Sequence, residues 1–209
     1  MRTFTETQLD ALFEIFNIGV GRAAASMSAM TGESVSLIVP TMDFCDARQI
    51  AGTLLKDSAE HICCVSQRYE GGLETEALLV FPEASSLELV REILKGTVPG
   101  ESIHEMEQEA MSEIGNIVLN SCVSTFANIL HVQFNASLPV FMRGLCTQVL
   151  DIPGYGDDDT VIALDISFTI EAKSIRGNMA FIFQLNSLDN FMQNIDDYFA
   201  RMLAVPGGQ

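Results

Sequence analysis

Near the start of the chain, apolar residues recur at three- and four-residue steps, at Leu9, Leu12, Phe13 and Phe16. That spacing predicts an amphipathic helix from about residue 6 to Met30. Thr3 or Thr5 caps it, Glu6 sits in its first turn, and Thr31-Gly32 ends it. Val35, Leu37 and Val39 then alternate with polar neighbours, the period of a half-buried strand closed by Pro40. A shorter helix is expected over Asp43–Leu55, starting near Asp46. Two strand-like runs come next, 60–69 and 73–81, joined through the hairpin signal Gly71-Gly72. A short helix over Ser85–Leu94 closes at Gly96, and Pro99-Gly100 separates the first half of the chain from the second.

The order then repeats. Met106, Ile114, Ile117, Val118 and Cys122 predict a helix over 102–129, with a strand over 132–138 ending at Pro139. Residues 141–151 read as strand or irregular chain, with no helix opposite 46–55, and 152–160 as a loop. Strands are expected at 160–171 and 175–185 around a turn at Ala172–Ser174. A final helix, Leu188–Leu203, leads into a frayed tail at Val205–Gln209. Neither hairpin can bury a face alone. The expected fold is therefore α/β (α+β), a single domain over 1–209 made of repeats 1–98 and 99–209. In it a pseudo-twofold, mostly antiparallel sheet carries long helices packed against it.

A polar pattern is laid over this repeat. Asp10, Glu14, Asn17 and Pro40 recur as Glu109, Glu113, Asn116 and Pro139, each counterpart 99 residues further on. At 3.6 residues per turn, Glu14 and Asn17 lie about 60° apart around the axis and Asp10 about 40° from Glu14. All three share one helix face, and Glu6 and Glu105 extend the acids by a turn. Solvated acids on a helix are ordinary. An asparagine in mid-helix is a weak helix former, and its return at the same offset from a glutamate, with a proline in phase, marks both faces as candidate sites. Gly19 and Gly21 permit close approach of another element, and Val118 and Asn120 stand opposite them in the second copy. A GxG inside a helix is no phosphate cradle.

Composition narrows the chemistry. The chain is 48% hydrophobic, ample for a core, and carries a net charge of −17. That charge disfavours nucleic acid as a partner. No run of about 18 uncharged apolar residues or basic amphipathic helix points to a membrane. MRTFTETQLD has no signal-peptide pattern, so a soluble, cytoplasmic protein is expected. The five cysteines follow no ligand spacing and read as small buried hydrophobes in a reducing compartment. His61, His104 and His131 sit in no HExxH, and no GxSxG is present. Glu101 and His104 form one ExxH without the partners of a dinuclear site, and Asp157–Asp159 lacks the alternating ligands of a calcium loop. No cofactor or metal of its own is expected.

A Glu/Asn pair can hold and aim a water through the carboxamide and grip a partner's lysine or arginine through the acid. It suits a reaction in which the partner brings the electrophile and its charge neutralisation, such as attack of water on an activated phosphoryl group. The two sets resemble the pattern of the CheC/CheX/FliY family of chemotaxis response-regulator phosphatases. That pattern runs Asp or Ser, three residues, Glu, two residues, Asn, twenty-two residues, Pro. Asp10, Glu14, Asn17 and Pro40 match in full, whereas Glu109 departs from the Asp or Ser expected before Glu113, Asn116 and Pro139. Two intact pairs resemble the two-site, CheC-like branch more than the one-site CheX branch, and FliY would add a switch domain.

The resemblance implies a fold like the duplicated one above and hydrolysis of the aspartyl phosphate of the response regulator CheY. It makes Glu14, Asn17, Glu113 and Asn116 catalytic: the asparagines position water and the glutamates engage the regulator's lysine. Asp10, Pro40, Glu109 and Pro139 support them. Mg2+ would belong to the regulator, the receptor deamidase CheD is a further partner the family implies, and a monomer is expected. Two other readings stay open: a non-catalytic adaptor or sink for phosphorylated CheY or CheD, and a structural component of the flagellar switch.

Overall fold

The computed structural model of the protein describes residues 4–55, 60–71, 74–95, 103–156, 159–170 and 173–204. Gly72 of the first hairpin turn, the linker at 96–100, Glu101, Asp157, Asp158, Ala172 and the tail at 205–209 lie outside the described residues.

Helix α1 runs Glu6–Thr31. Thr5 caps it through a capping box: its hydroxyl accepts from the Gln8 backbone N–H at 3.3 Å, and Gln8 Oε1 accepts from the Thr5 N–H at 3.0 Å. Gly32, in the left-handed region at φ 73°, closes the helix with a bond from its N–H to the Ser28 carbonyl. Leu12, Phe16, Val20, Ala23 and Met27 recur on one stripe and are fully buried. Each large member of such a stripe contributes roughly 1.5–3 kcal/mol through burial. The second long helix, α4, runs Ile103–Leu130 and buries Met111, Ile114, Val118, Leu119, Cys122 and Phe126.

Between and after these lie β1 (Val35–Ile38), β2 (Met42–Asp46), α2 (Ile50–Leu54), β3 (His61–Gly71), β4 (Thr75–Pro82) and α3 (Glu83–Ile93). The second half continues with β5 (Phe134–Ala136), β6 (Val140–Leu145), α5 (Cys146–Val149), β7 (Thr160–Ile170), β8 (Lys173–Phe183) and α6 (Leu185–Ala204). The eight strands form one sheet in the order β1-β7-β8-β4-β3-β5, with β2 also on β7 and β6 also on β3. Every pairing is antiparallel. Strands β1 and β2 thus pair with β7, in the other half of the chain, and β5 and β6 pair with β3. The β4–β8 ladder, from Thr75↔Phe183 to Val80↔Asn178, joins the middle.

The central strands are buried on both faces, so they read as near-continuous apolar runs. Phe81, Phe168, Phe181 and Phe183 face α1, α3, α4 and α6, whereas Leu78, Val80, Ala180 and Ile182 face the short helices α2 and α5. Phe16 meets Phe126 edge-on at 4.9 Å and Phe181 at 5.2 Å, which fastens both long helices to the same patch of sheet.

Two expectations are corrected. The helix expected over Asp43–Leu55 exists only as a 3-10 turn, Ala47–Gln49, and α2. Residues 42–46 are strand, because pairing Met42↔Leu164 through Asp46↔Thr160 satisfies their backbone groups and buries Cys45. The second half also keeps a short helix where none was expected, α5, which buries Cys146 and Val149.

Candidate functional site

In α4, Ile114 is 1% exposed and pins the helix to the core. Gly115 lets the backbone settle on β3, since a Cβ there would fall 2.4 Å from Val65 Cγ1. The neighbours on the outer face, Glu109 and Glu113, are exposed, and Asn116 is half-buried. After α4 the chain reverses at His131, at φ 56°, and returns past β5 so that Leu138 and Pro139 run back beside the helix. A groove of about 770 Å³ results, walled by Glu109, Glu113, Asn116, Leu138 and Pro139, with Met30 from the end of α1, Ile93 and Leu94 at the end of α3, and Met106. The structure therefore gathers all four members of the second set. Leu138, 84% exposed, is the most open large apolar residue on its rim. Pro139 presents no N–H that would need a partner.

On α1, Asp10 and Glu14 are exposed and Asn17 half-buried; Pro40 lies exposed between β1 and β2. Asn17 Nδ2 donates to the Phe13 carbonyl at 3.0 Å, and the exposed Ile18 adjoins it. The two sites lie well apart because the helices run antiparallel. Phe16 meets Phe126, and ten residues separate Phe126 from Asn116, roughly 15 Å of helix.

Three residues of the second site escape a sequence reading. Asn120 Nδ2 lies 2.7 Å from Asn116 Oδ1, the Tyr69 hydroxyl 3.1 Å from Asn120 Oδ1 and 2.8 Å from Gln67 Oε1, and Gln67 Nε2 donates to the Ser137 carbonyl at 2.8 Å. The one available signal is an asparagine a turn after Asn116 on the same face. A second polar cluster lies behind α4. Glu107, 2% exposed, accepts from the Ser86 hydroxyl at 2.8 Å and from Arg143 Nη1 at 3.0 Å, with Cys63 Sγ at 3.3 Å. It ties β6, the strand leaving Pro139, to α4 and α3.

Burial pushes the Cys63 thiol up to about 12, and Cys122 likewise. All five cysteines are free and buried, so none is a nucleophile at neutral pH. Among the described residues, no three His, Cys, Asp or Glu side chains group as metal ligands, and no helix is long and apolar enough to cross a membrane. The groove carries two carboxylates, Glu109 and Glu113, and the Asn116 carboxamide on α4, beside an apolar rim.

No protein-family model matches the chain. It is 21% identical over 196 residues to the CheY-P phosphatase CheC of Bacillus subtilis (strain 168), spanning 89% of this chain and 91% of that protein. Thermotoga maritima FliY shares the fold at a TM-score of 0.71 and 21% identity, covering 96% of this chain and 99% of its own. The chemotaxis protein CheX of Desulfovibrio desulfuricans follows at 0.54 and 15% identity, covering 82% and 99%. FliM middle domains and a chain of the CheX–CheY complex of Borrelia burgdorferi share the fold as well. An α/β scaffold carries the Glu/Asn pattern on both of its long helices. The match to CheC runs along most of the chain, and the fold is shared with FliY and CheX.

Proposed function

We propose that the protein hydrolyses the aspartyl phosphate of a CheY-type response regulator and so lowers its signalling level. The observation that carries this reading is the groove on which Glu109, Glu113, Asn116 and Pro139 converge. The regulator would dock its phosphorylated edge there, with Glu113 on its lysine and Asn116 holding a water in line with the phosphorus. The water oxygen bonds to phosphorus as the bond to the aspartyl oxygen breaks. The aspartate leaves as carboxylate, and the water's proton ends on phosphate or solvent. Mg2+ held by the regulator would offset the charge on the phosphoryl oxygens. Glu14 and Asn17 would do the same at the first site, with Asp10 and Pro40 in support.

The same reading makes residues 1–209 one cytoplasmic, monomeric domain that arose by duplication of 1–98 into 99–209. The mirrored pairings, β1 and β2 on β7 against β5 and β6 on β3, support the duplication. Phosphate release from the phosphorylated regulator tests the activity in wild type, N17A, N116A and N17A/N116A. The double variant is expected to fall to the regulator's own rate of loss; a double variant as fast as wild type rejects the assignment.

The alternative is a non-catalytic adaptor or sink that binds phosphorylated CheY or the deamidase CheD, with the two Glu/Asn helix faces serving as recognition surfaces alone. Binding of the regulator without acceleration of phosphate loss would select it.

A further inference from the structure

We propose that Gln67, Tyr69 and Asn120 form a relay that sets which end of the Asn116 carboxamide faces the groove, and that the end presented is the oxygen. Its catalytic meaning rests on the phosphatase reading above. The relay is anchored at Gln67, whose Nε2 donates to the Ser137 carbonyl at 2.8 Å, so its Oε1 faces Tyr69 and can only accept. The Tyr69 hydroxyl lies 2.8 Å from that oxygen and has one hydrogen to give. Burial lifts Tyr69 above the ordinary phenol range, so the hydrogen stays in place. With it committed to Gln67, the Asn120 atom 3.1 Å from the hydroxyl is satisfied only as a donor.

A half-turn of the Asn120 carboxamide places Nδ2 there and Oδ1 against Asn116, with no change in the group's shape. The same count at the 2.7 Å contact turns Asn116: its Nδ2 donates to Asn120, and its Oδ1 is left to the groove. In the opposite sense, two acceptors compete for one hydroxyl hydrogen where Tyr69 is 1% and Gln67 2% exposed. A buried acceptor left unpaired is the costlier arrangement.

The first site reaches the same end by a local route. Asn17 Nδ2 donates to the Phe13 carbonyl, so its oxygen is the free end. In both halves the nitrogen is tied and the oxygen offered, which suits a water held by one O–H while its lone pair is aimed at phosphorus. The first half has no means of building the relay. At the offset of 99, Gly21 stands for Asn120, Phe168 for Tyr69 and Ile166 for Gln67. Asn17 leans on its own helix, whereas Asn116 is positioned by a strand of the sheet.

The test uses N120D, N120L and Y69F. The carboxylate that N120D introduces can only accept, so this variant keeps the Asn116 nitrogen tied, while N120L cannot. In 15N-labelled protein the Asn116 side-chain amide signal, assigned by its loss in N116A, should be downfield and slow to exchange in wild type and N120D. It should shift to the free-amide position in N120L. In an N17A background, N120L should lower the maximal rate of phosphate release roughly tenfold at an unchanged half-saturating regulator concentration, Y69F less so, and N120D should recover most of the loss. An Asn116 amide already at the free position in wild type and tied only in N120D overturns the proposed sense; one unmoved in N120L removes the relay altogether. Should N17A/N116A prove as fast as wild type, the phosphatase reading fails, and the amide signal still decides the relay.

Discussion

Gly19 of α1 packs directly on Cys122 of α4: a Cβ on Gly19 would fall 2.9 Å from the Cys122 Cα. One turn away Phe16 stands edge-on to Phe126. Both polar faces hang from these helices, so this crossing sets how the two sites are held.

Widening the crossing should therefore weaken the whole molecule. Gly19→Val is expected to cost about 1–3 kcal/mol, read as a lower urea midpoint, and to slow both sites. Gly21, two residues on, has nothing within 4 Å of an added Cβ. Gly21→Ala should stabilise by about 0.4–1 kcal/mol through helix propensity and a less flexible unfolded chain. Equal destabilisation by the two would contradict the close packing at Gly19 alone.

Gly115 gives a sharper version, confined to one site. A Cβ there meets Val65 Cγ1 at 2.4 Å, so Gly115→Ala should lift α4 off β3 and carry Asn116 with it. In an N17A background the rate of phosphate release should drop, while the first site, measured with N116A, is affected less. G115A/V65A should be less destabilised than the sum of its single changes, because the two atoms occupy the same space. Strict additivity in urea unfolding would argue against that contact.

Removing Arg143 tests the cluster behind the groove. Arg143→Met leaves the Glu107 carboxylate with the Ser86 hydroxyl and the Cys63 thiol. The Arg143 side chain is 47% exposed, which screens the pair. A loss of about 1–2 kcal/mol is expected, with the amides of β6 exchanging faster with deuterium. Unchanged protection across 140–145 would mean that Glu107 does not hold the strand.

The thiols make a prediction about alkali. Burial raises Cys63 and Cys122 from 9.0 to about 12 in the folded chain. The unfolded chain thus ionises first, and the stability present below pH 9 is lost between 9 and about 12. The urea midpoint should hold from pH 7 to 8 and fall beyond 9, with a shallower slope in C63A. At pH 8 a thiol reagent should label none of the five cysteines until denaturant is added.

The long elements are legible in the sequence because each carries its own period: the stripe from Leu12 to Met27, and the apolar runs of β4 and β8. Residues 42–46 are not, since two aspartates in MDFCD resemble a helix start, and only the distant partners at 160–164 make them extended. The four residues of α5 are too few to show a period. At the candidate site, the shared helix face of Glu109, Glu113 and Asn116 is legible from spacing, whereas the return of Pro139 to the same groove depends on the fold. Tyr69 and Asn120 are not, because their contact joins residues 51 apart across β3 and α4. Glu107 looks like one more solvated acid beside Glu105 and Glu109, and only the packing of α3 and β6 buries it.

The exchange of edge strands between the halves has a bearing on truncation. Each half lends two strands to a hairpin of the other, so neither closes its own edge. Removing either half would leave the other half's hairpin without the two strands that pair with its outer strand, β7 or β3.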